Sequence, residues 1–378
     1  MRTLSEPHFQ THALHGARPP YNVWTTWAVD HAAQEAYVYG GCRPGDTDNQ
    51  PVNDFYALKI EGNQLKWRCL TNSLKYRGQD VFASGRPVRP RPFPALRQPA
   101  MTLANINGTS FIFIFGGYSS EYERVVADLI AVDISSGEWW FVNVEGGSVM
   151  GRMDAAMTAH GPCLYIFGGR SSFRDNCAIS SYCMARYLVN RRTWMWLYQD
   201  RAYPEHVPRL GFEMTLIPIQ HRRLIVILPG RKRTDEDPIK ITQNKVFLFD
   251  VDDLSFTRLD IPEDDFPGGI RGIDAAPLHP YAIPKTSPFK FIIAGWVPMS
   301  DGSLIPELWV CKPYATNQGF QCLEVANQLW EMDFDLQDCV VCNSRIFFMG
   351  YKHPRGLDYD CDAPDDSTWN VAIEVVLN

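Results

Sequence analysis

One recurrence constrains the fold more than any other feature of the chain. An apolar run repeatedly leads into a doublet of small or flexible residues: Gly40-Gly41, Gly116-Gly117, Gly168-Gly169, Pro229-Gly230, Ala294-Gly295 and Met349-Gly350. The runs that lead into them are 36–39, 111–115, 164–167, 224–228, 289–293 and 345–348. After each of the first five doublets, at a spacing of about 25 residues, comes an aromatic residue, and repeats of this kind mark stacked or radial architectures. These aromatics are Trp67, Trp140, Trp196, Phe256 and Phe320. A glycine pair permits a sharp turn where a Cβ would clash, and the expected place for that turn is beside a central channel. The aromatics are expected to pack between neighbouring units.

One four-stranded unit of this pattern cannot bury both of its faces, so the units must close into a ring. The expected fold is all-β: a six-bladed kelch-type β-propeller formed by residues 1–378 as a single domain. The blades are expected at 21–70, 97–144, 151–200, 209–261, 270–326 and 329–376. Only one strand, 369–376, follows the last doublet, so that blade lacks an outer strand. Segment 8–15 is expected to supply it, closing the ring with an N-terminal strand and leaving fewer free sheet edges.

Composition supports this reading and narrows the environment. The 27 Gly and 27 Pro supply many turns, and 11 Trp, 16 Tyr and 21 Phe suit sheets. Residues 1–16 contain no apolar core of a signal peptide. Runs such as 111–115 and 224–228 are too short to cross a bilayer, so no membrane association is expected. The ten cysteines then read as reduced thiols of an intracellular protein.

Charge is distributed unevenly. The net charge is −7, yet residues 81–120 contain no Asp or Glu and carry Arg86, Arg89, Arg91 and Arg97. Three of these arginines alternate with Pro87, Pro90, Pro92 and Pro94 in a long connection, 71–94, that favours extended backbone and reads as a surface arm. Arginine offers a planar donor fork to phosphate, so these residues, with Arg43 after the first doublet, are the candidate nucleic-acid contacts. The basic clusters Arg191-Arg192, His221-Arg222-Arg223 and Arg231-Lys232-Arg233 read as solvated hairpin caps.

Other chemistry is weakly represented. Cys339-Val-Val-Cys342 has the spacing of a zinc half-site but lacks a second half. His8, His12 and His15 would share a metal only on a helix, and their setting reads as a strand. Asp358-Tyr-Asp-Cys-Asp362 opens like a calcium loop but lacks the glycine and glutamate that complete one. No nucleophile elbow, phosphate-binding loop or dinucleotide fingerprint is present. The chain therefore reads as a binding protein with no catalytic residues, no metal site and no cofactor of its own.

Several segments resemble the recombination-activating gene 2 protein family, the kelch-type accessory subunit of the RAG recombinase. Pro94-Ala-Leu-Arg-Gln-Pro-Ala100 resembles that family's P-x-L-R-x-P-A segment opening the second blade, and it too follows a long connection. Residues 55–60 with Asn63-Gln-Leu-Lys66 resemble the outer half of its first blade, and Phe167-Gly-Gly-Arg-Ser171 its F-G-G-R-S stretch. The family's zinc-binding PHD finger has no counterpart here, so the short transposon-encoded (ProtoRAG) form is the nearer resemblance. The resemblance implies a nuclear accessory subunit of a DNA transposase. Its catalytic RAG1-like partner would hold the divalent metal, in a 2:2 heterotetramer on DNA flanking the terminal inverted repeats. Arg97 is the residue that the shared segment places at flanking DNA. The alternative is an intracellular kelch scaffold or adaptor that recognises a protein partner through a propeller face.

Overall fold

The computed structural model describes residues 8–20, 22, 25–43, 50–78, 91–145, 149–171, 183–199, 209–210, 213–219, 222–228, 231–232, 245–260, 279–282, 291–298, 304–313, 320–324, 335–342, 345–351 and 371–376. Strands dominate these residues, and the chain is a kelch-type β-propeller. The first blade orders Thr26–Asp30, Glu35–Tyr39, Phe55–Glu61 and Gln64–Cys69 from inside to outside, each antiparallel to its neighbour. The same order recurs from Ala100–Ile106 to Glu138–Phe141, from Met153–His160 to Thr193–Gln199, from Glu213–Ile219 to Phe256–Asp260 and from His279–Ala282 to Phe320–Glu324. The innermost strands meet in sequence around a ring. Asp335–Cys342 closes it by touching both Phe291–Pro298 and Thr26–Asp30.

Sequence pattern explains each position in a blade. The outer strand Gln64–Cys69 alternates, burying Leu65 and Trp67 while Gln64, Lys66 and Arg68 face water. The second strands are covered on both faces and are continuously apolar: Ile112, Phe113, Ile114 and Phe115 are all buried. Between the first two blades lie Tyr39, Phe55, Ile112, Ile114 and Trp139. Between the next blades lie Phe115, Phe167, Trp194, Ile225 and Phe249.

The glycine doublets do something other than turn beside the channel. Gly40 and Gly41 have φ of 72° and 89°, and Gly116 and Gly117 have 71° and 88°, values an L side chain rarely adopts. Each doublet receives the backbone that starts the next blade. Gly41 N–H donates to Leu96 O at 3.1 Å, and Gly117 N–H donates to Arg152 O at 2.8 Å. A Cβ on Gly40 would stand 2.5 Å from Leu96 O, and one on Gly116 would stand 2.0 Å from Arg152 O. The clash that excludes a side chain is with the neighbouring blade. Nor does the doublet always end its strand. Phe291–Pro298 runs through Ala294-Gly295, pairing Ala294 with Leu308 and Gly295 with Glu307. Arg345–Tyr351 likewise runs through Met349-Gly350, pairing Met349 with Ala372 and Gly350 with Val371.

Closure uses one strand for two blades. In His8–Gly16, residues 8–13 pair antiparallel with Val371–Val376, and Leu14, His15 and Gly16 then pair parallel with Leu65, Lys66 and Trp67. An ionic latch between half-buried Arg345 and buried Glu374 holds this seam. Arg345 donates through Nε and Nη2 to the two Glu374 oxygens at 2.6 and 2.7 Å, and through Nη1 to Gly62 O at 2.5 Å. His12 Nε2 lies 2.8 Å from Glu374 Oε2, and its Nδ1 lies 3.2 Å from Asn63 O. Burial pushes the Glu374 carboxyl up, but the hydrogen bonds and charges of Arg345 and His12 outweigh it and hold it below its ordinary value.

Two outcomes follow from these contacts. Deleting residues 1–16 removes a strand, two edge pairings and His12, and should lower stability in denaturant titration by several kcal/mol. An unchanged transition would refute closure by this strand. Gly116→Ala should cost more than about 2 kcal/mol, because both φ and the Arg152 carbonyl oppose a methyl group. Gly108→Ala serves as the control: it shares a positive φ, meets nothing within 4 Å, and should cost about 1 kcal/mol.

Candidate interaction face on the first three blades

The Arg/Pro-rich connection is anchored at both ends on one short strand. On its N-terminal side, Lys75–Tyr76 adds parallel to Glu138–Phe141, and Arg77 N–H donates to Trp139 O at 2.8 Å. The Arg77 guanidinium lies 5.4 Å from the Trp140 ring centre and 3.7 Å from Glu138. On its C-terminal side, exposed Arg91 lies 5.9 Å over Phe141. Phe93 is buried, with its ring 5.1 Å from Tyr39, 5.7 Å from Phe55 and 5.2 Å from Trp139. Tyr39 Oη donates to Pro94 O at 2.5 Å. Close by, burial raises the Asp128 carboxyl, opposed by the charges of Arg124 and Arg91. Arg86 and Arg89 lie outside the described residues.

The remaining two candidate arginines sit nearer the start of the inner strands. Arg97 is only 8% exposed, so it is a packed residue and not an open phosphate contact. Its backbone exchanges hydrogen bonds with Tyr118 at 3.0 and 2.9 Å, and its guanidinium lies 5.4 Å over the Tyr118 ring. Burial is the main cause that lowers its pKa. Arg43 is half-exposed and donates to Asp54 Oδ2 at 3.1 Å, an oxygen that also accepts from Asn22 at 3.0 Å. The candidates are thus divided. Arg43 and Arg97 flank the contact between Gly41 and Leu96, whereas Arg91 belongs to the outer edge of the second blade.

Two further arginines complete this region. Arg170 donates to Asp154 at 2.6 Å and to Gln98 at 3.4 Å, and Asp154 N–H donates to Gln98 O at 3.1 Å. Asp154 and Gln98 have φ of 57° and 53°, left-handed conformations that cost on the order of 1 kcal/mol each and cluster at functional sites. Arg152 is fully buried. It donates to Met150 O at 3.2 Å and to Gly168 O at 2.9 Å, with its guanidinium 5.6 Å over Trp196. Neither Arg152 nor Arg170 stands out by local charge. The signal that finds Arg152 is the recurrence of Arg-Gln-Pro-Ala-Met-Thr at 97–102, Arg-Met-Asp-Ala-Ala-Met-Thr at 152–158 and Arg-Leu-Gly-Phe-Glu-Met-Thr at 209–215.

The other candidate clusters are placed as follows. His12 lies in a strand and is committed to the seam, and no group of metal-ligating side chains occurs among the described residues. Cys342 is buried in a strand, which pushes its thiol up to about 11. Arg222 pairs with Asp250 and Arg223 with Asp252, as hairpin caps do. Arg223 also donates to His160 Nε2 at 2.5 Å, and burial first, then the Arg223 charge, lowers the His160 pKa. The acidic run 358–366 lies outside the described residues. Among the aromatics, Trp67 is buried as expected, but Trp196 is 40% exposed and Trp194 takes the buried position in that strand.

The family model described as the Attractin/LZTR1 beta-propeller matches residues 28–271, and the chain belongs to that family. No curated protein matches the chain.

Burial separates the arginines by experiment. Arg97→Ala should destabilise the propeller by about 1–3 kcal/mol, and Arg91→Ala should stay within about 0.5 kcal/mol of the parent. Equal effects in parallel denaturant titrations would contradict the assignment of Arg97 to packing.

Proposed function

We propose that this Attractin/LZTR1-type propeller is a non-catalytic scaffold or adaptor that recognises a protein partner through the arm-bearing side of its first blades. The observation that carries this reading is the double anchoring of the arm. Tyr76 and Phe93 are both packed against Trp139, so the two ends of the connection share one base. Joining two blades does not require so long a connection, and extended Pro-rich segments are recurrent protein-binding elements. Around the base, the exposed side chains of Arg77, Arg91, Tyr122 and Arg124 combine charge with aromatic surface.

The acid-free run 81–120 and the segment Pro94-Ala-Leu-Arg-Gln-Pro-Ala100 support a second reading within the same class. Here the partner is a RAG1-like transposase subunit in the nucleus, which supplies the catalytic carboxylates and metal. Arg43, Arg86, Arg89 and Arg91 would contact flanking phosphates, and Arg97 would hold the Tyr118 segment in place. Contacts of this kind position a complex and carry little sequence information.

One experiment tests both readings. Arg86, Arg89 and Arg91 are replaced together by Ala in the full chain, and partners that co-purify from cells are identified by mass spectrometry. DNA affinity is measured in parallel across a salt series. The scaffold reading expects loss of a protein partner with DNA affinity unchanged. The recombinase reading expects a transposase-like partner to be retained, and the salt slope to fall by about one unit per lost phosphate contact. Retention of every partner with an unchanged slope would refute both.

A further inference from the structure

Register in the fifth blade brings together two cysteines that the sequence keeps apart. The strands of this blade run His279–Ala282, Phe291–Pro298, Leu304–Pro313 and Phe320–Glu324, each antiparallel to the next. Between the last two, Cys311 stands directly opposite Cys322. Directly opposed residues share one face of a sheet. Among the described strands, no other cysteine has a cysteine as its cross-strand partner. Cys339 and Cys342, which have the spacing of a redox motif, lie along one strand at positions of opposite face. Their Cα atoms are about 10 Å apart at the rise of a strand, beyond the reach of a disulfide.

The prolines of the blade fix which kind of pair the cysteines form. Opposed residues in antiparallel strands alternate between bonded pairs, which exchange two backbone hydrogen bonds, and unbonded pairs, which exchange none. A residue of an inner strand that is bonded to one neighbour is therefore unbonded to the other. Proline has no N–H and belongs at unbonded pairs. Pro306, opposite Trp296, makes the even-numbered residues of Leu304–Pro313 unbonded toward Phe291–Pro298. Cys311 is then bonded to Phe291 on that side and unbonded to Cys322 on the other. Three more prolines agree with this phase: Pro298 opposite Leu304, Pro280 opposite Ile293 and Pro313 opposite Phe320. In an unbonded pair the Cα atoms stand about 4.5 Å apart, and the Cβ atoms approach to about the same distance. Both separations fall within the limits of a disulfide, about 4.4–6.8 Å at Cα and about 3.5–4.5 Å at Cβ, but at their edges. A bonded pair, with Cβ atoms nearer to about 5.5 Å, would fall outside them.

We propose that Cys311 and Cys322 are a reversible redox site, joined as a cross-strand disulfide by exchange with a small-molecule disulfide such as glutathione disulfide. One cysteine, as its thiolate, attacks a sulfur of the oxidant. The oxidant's S–S bond breaks, a mixed disulfide forms and one thiolate leaves. The second cysteine attacks the protein sulfur of the mixed disulfide, forming the Cys311–Cys322 bond and expelling the second thiolate. The two cysteine thiols lose two electrons, the oxidant becomes two thiols, and the two cysteine protons end on them. Geometry at the edge of the permitted range strains the bond and makes it easy to reduce, which suits a switch and not a permanent staple. Phe320–Glu324 ends its sheet among the described residues, so the bond ties an outer strand to its inner neighbour. The site is independent of the arm, and its failure leaves the scaffold reading standing.

The test equilibrates the folded full chain with glutathione buffers running from reduced to oxidised, alkylates the free thiols and reads each cysteine by mass spectrometry. Cys311 and Cys322 are expected to lose their thiols together at the oxidised end, as one linked peptide, and to recover them at the reduced end. Cys339 and Cys342 should not become linked to each other. Cys311→Ser should leave Cys322 as a mixed disulfide with glutathione, and Cys322→Ser should do the converse, because the resolving thiol is gone. Amide hydrogen exchange in Phe320–Glu324 should be slower in the oxidised chain than in the reduced one. Thiols that stay free across the whole series, that accumulate only as mixed disulfides, or that link only when urea is added would overturn the proposal. A bond present in the purified chain that survives the reduced end would also overturn it, in favour of a permanent staple.

Discussion

The hydrogen bond from a doublet glycine to the backbone that opens the next blade is the contact on which the ring depends. Each blade in a propeller is a small sheet with a modest core, and side-chain packing alone would let neighbours slide. Gly41 to Leu96 and Gly117 to Arg152 fix the register between blades through backbone atoms, which cannot repack. Both residues of each of these doublets adopt positive φ; the second turns its N–H to the next blade, and the first must lack a Cβ so that the incoming carbonyl can approach. The third doublet extends this scheme with a side chain. The Arg152 guanidinium donates to Gly168 O, so one residue uses its carbonyl on the second blade and its side chain on the third.

The seam between the first and last blades is held by a different device. His8–Gly16 changes partner partway along, from antiparallel pairing with Val371–Val376 to parallel pairing with Gln64–Cys69. Gly16 permits this crossing: its φ is 83°, and a Cβ there would stand 2.2 Å from Trp67 O. The charges of Arg345 and Glu374 sit where three segments meet. Removing Arg345 would be costly because it leaves the buried Glu374 charge with His12 alone as its ionic partner among the described residues.

Much of this architecture was legible in the sequence, for identifiable reasons. Doublets, apolar second strands and outer aromatics recur at fixed spacing, so they show the repeat and the need for 8–15 to complete the last blade. What resisted reading depends on neighbours. Trp194 and Trp196 share one face of a strand, yet only Trp194 meets the core that includes Phe115 and Tyr187. The strand through Ala294-Gly295 continues because its partner Leu304–Pro313 keeps pairing across the doublet, a fact of register that composition does not carry. Likewise the clash at Gly116 comes from Arg152, whose approach is a property of blade packing and not of the local turn.

Charge was the least legible property, and the reason bears on function. A run of arginines without acids suggests a basic surface, but guanidinium groups are planar and weakly hydrated, so they also stack on rings and enter packed settings. Arg77, Arg91, Arg97 and Arg152 all lie over aromatic rings, at distances from 5.4 to 5.9 Å. Stacking does not neutralise these groups, but it fixes where their charge is presented. Arg152 is fully buried and Arg97 nearly so, which commits both to assembling the blades. Arg77 and Arg91 remain exposed at the two roots of the arm, where a partner can reach them. Local charge density along the sequence therefore overstates the arginine surface at Arg97 and misses the structural arginine at Arg152. Among the described residues, the exposed charge of the basic segment lies at the anchored base of the arm and not on the inner strands.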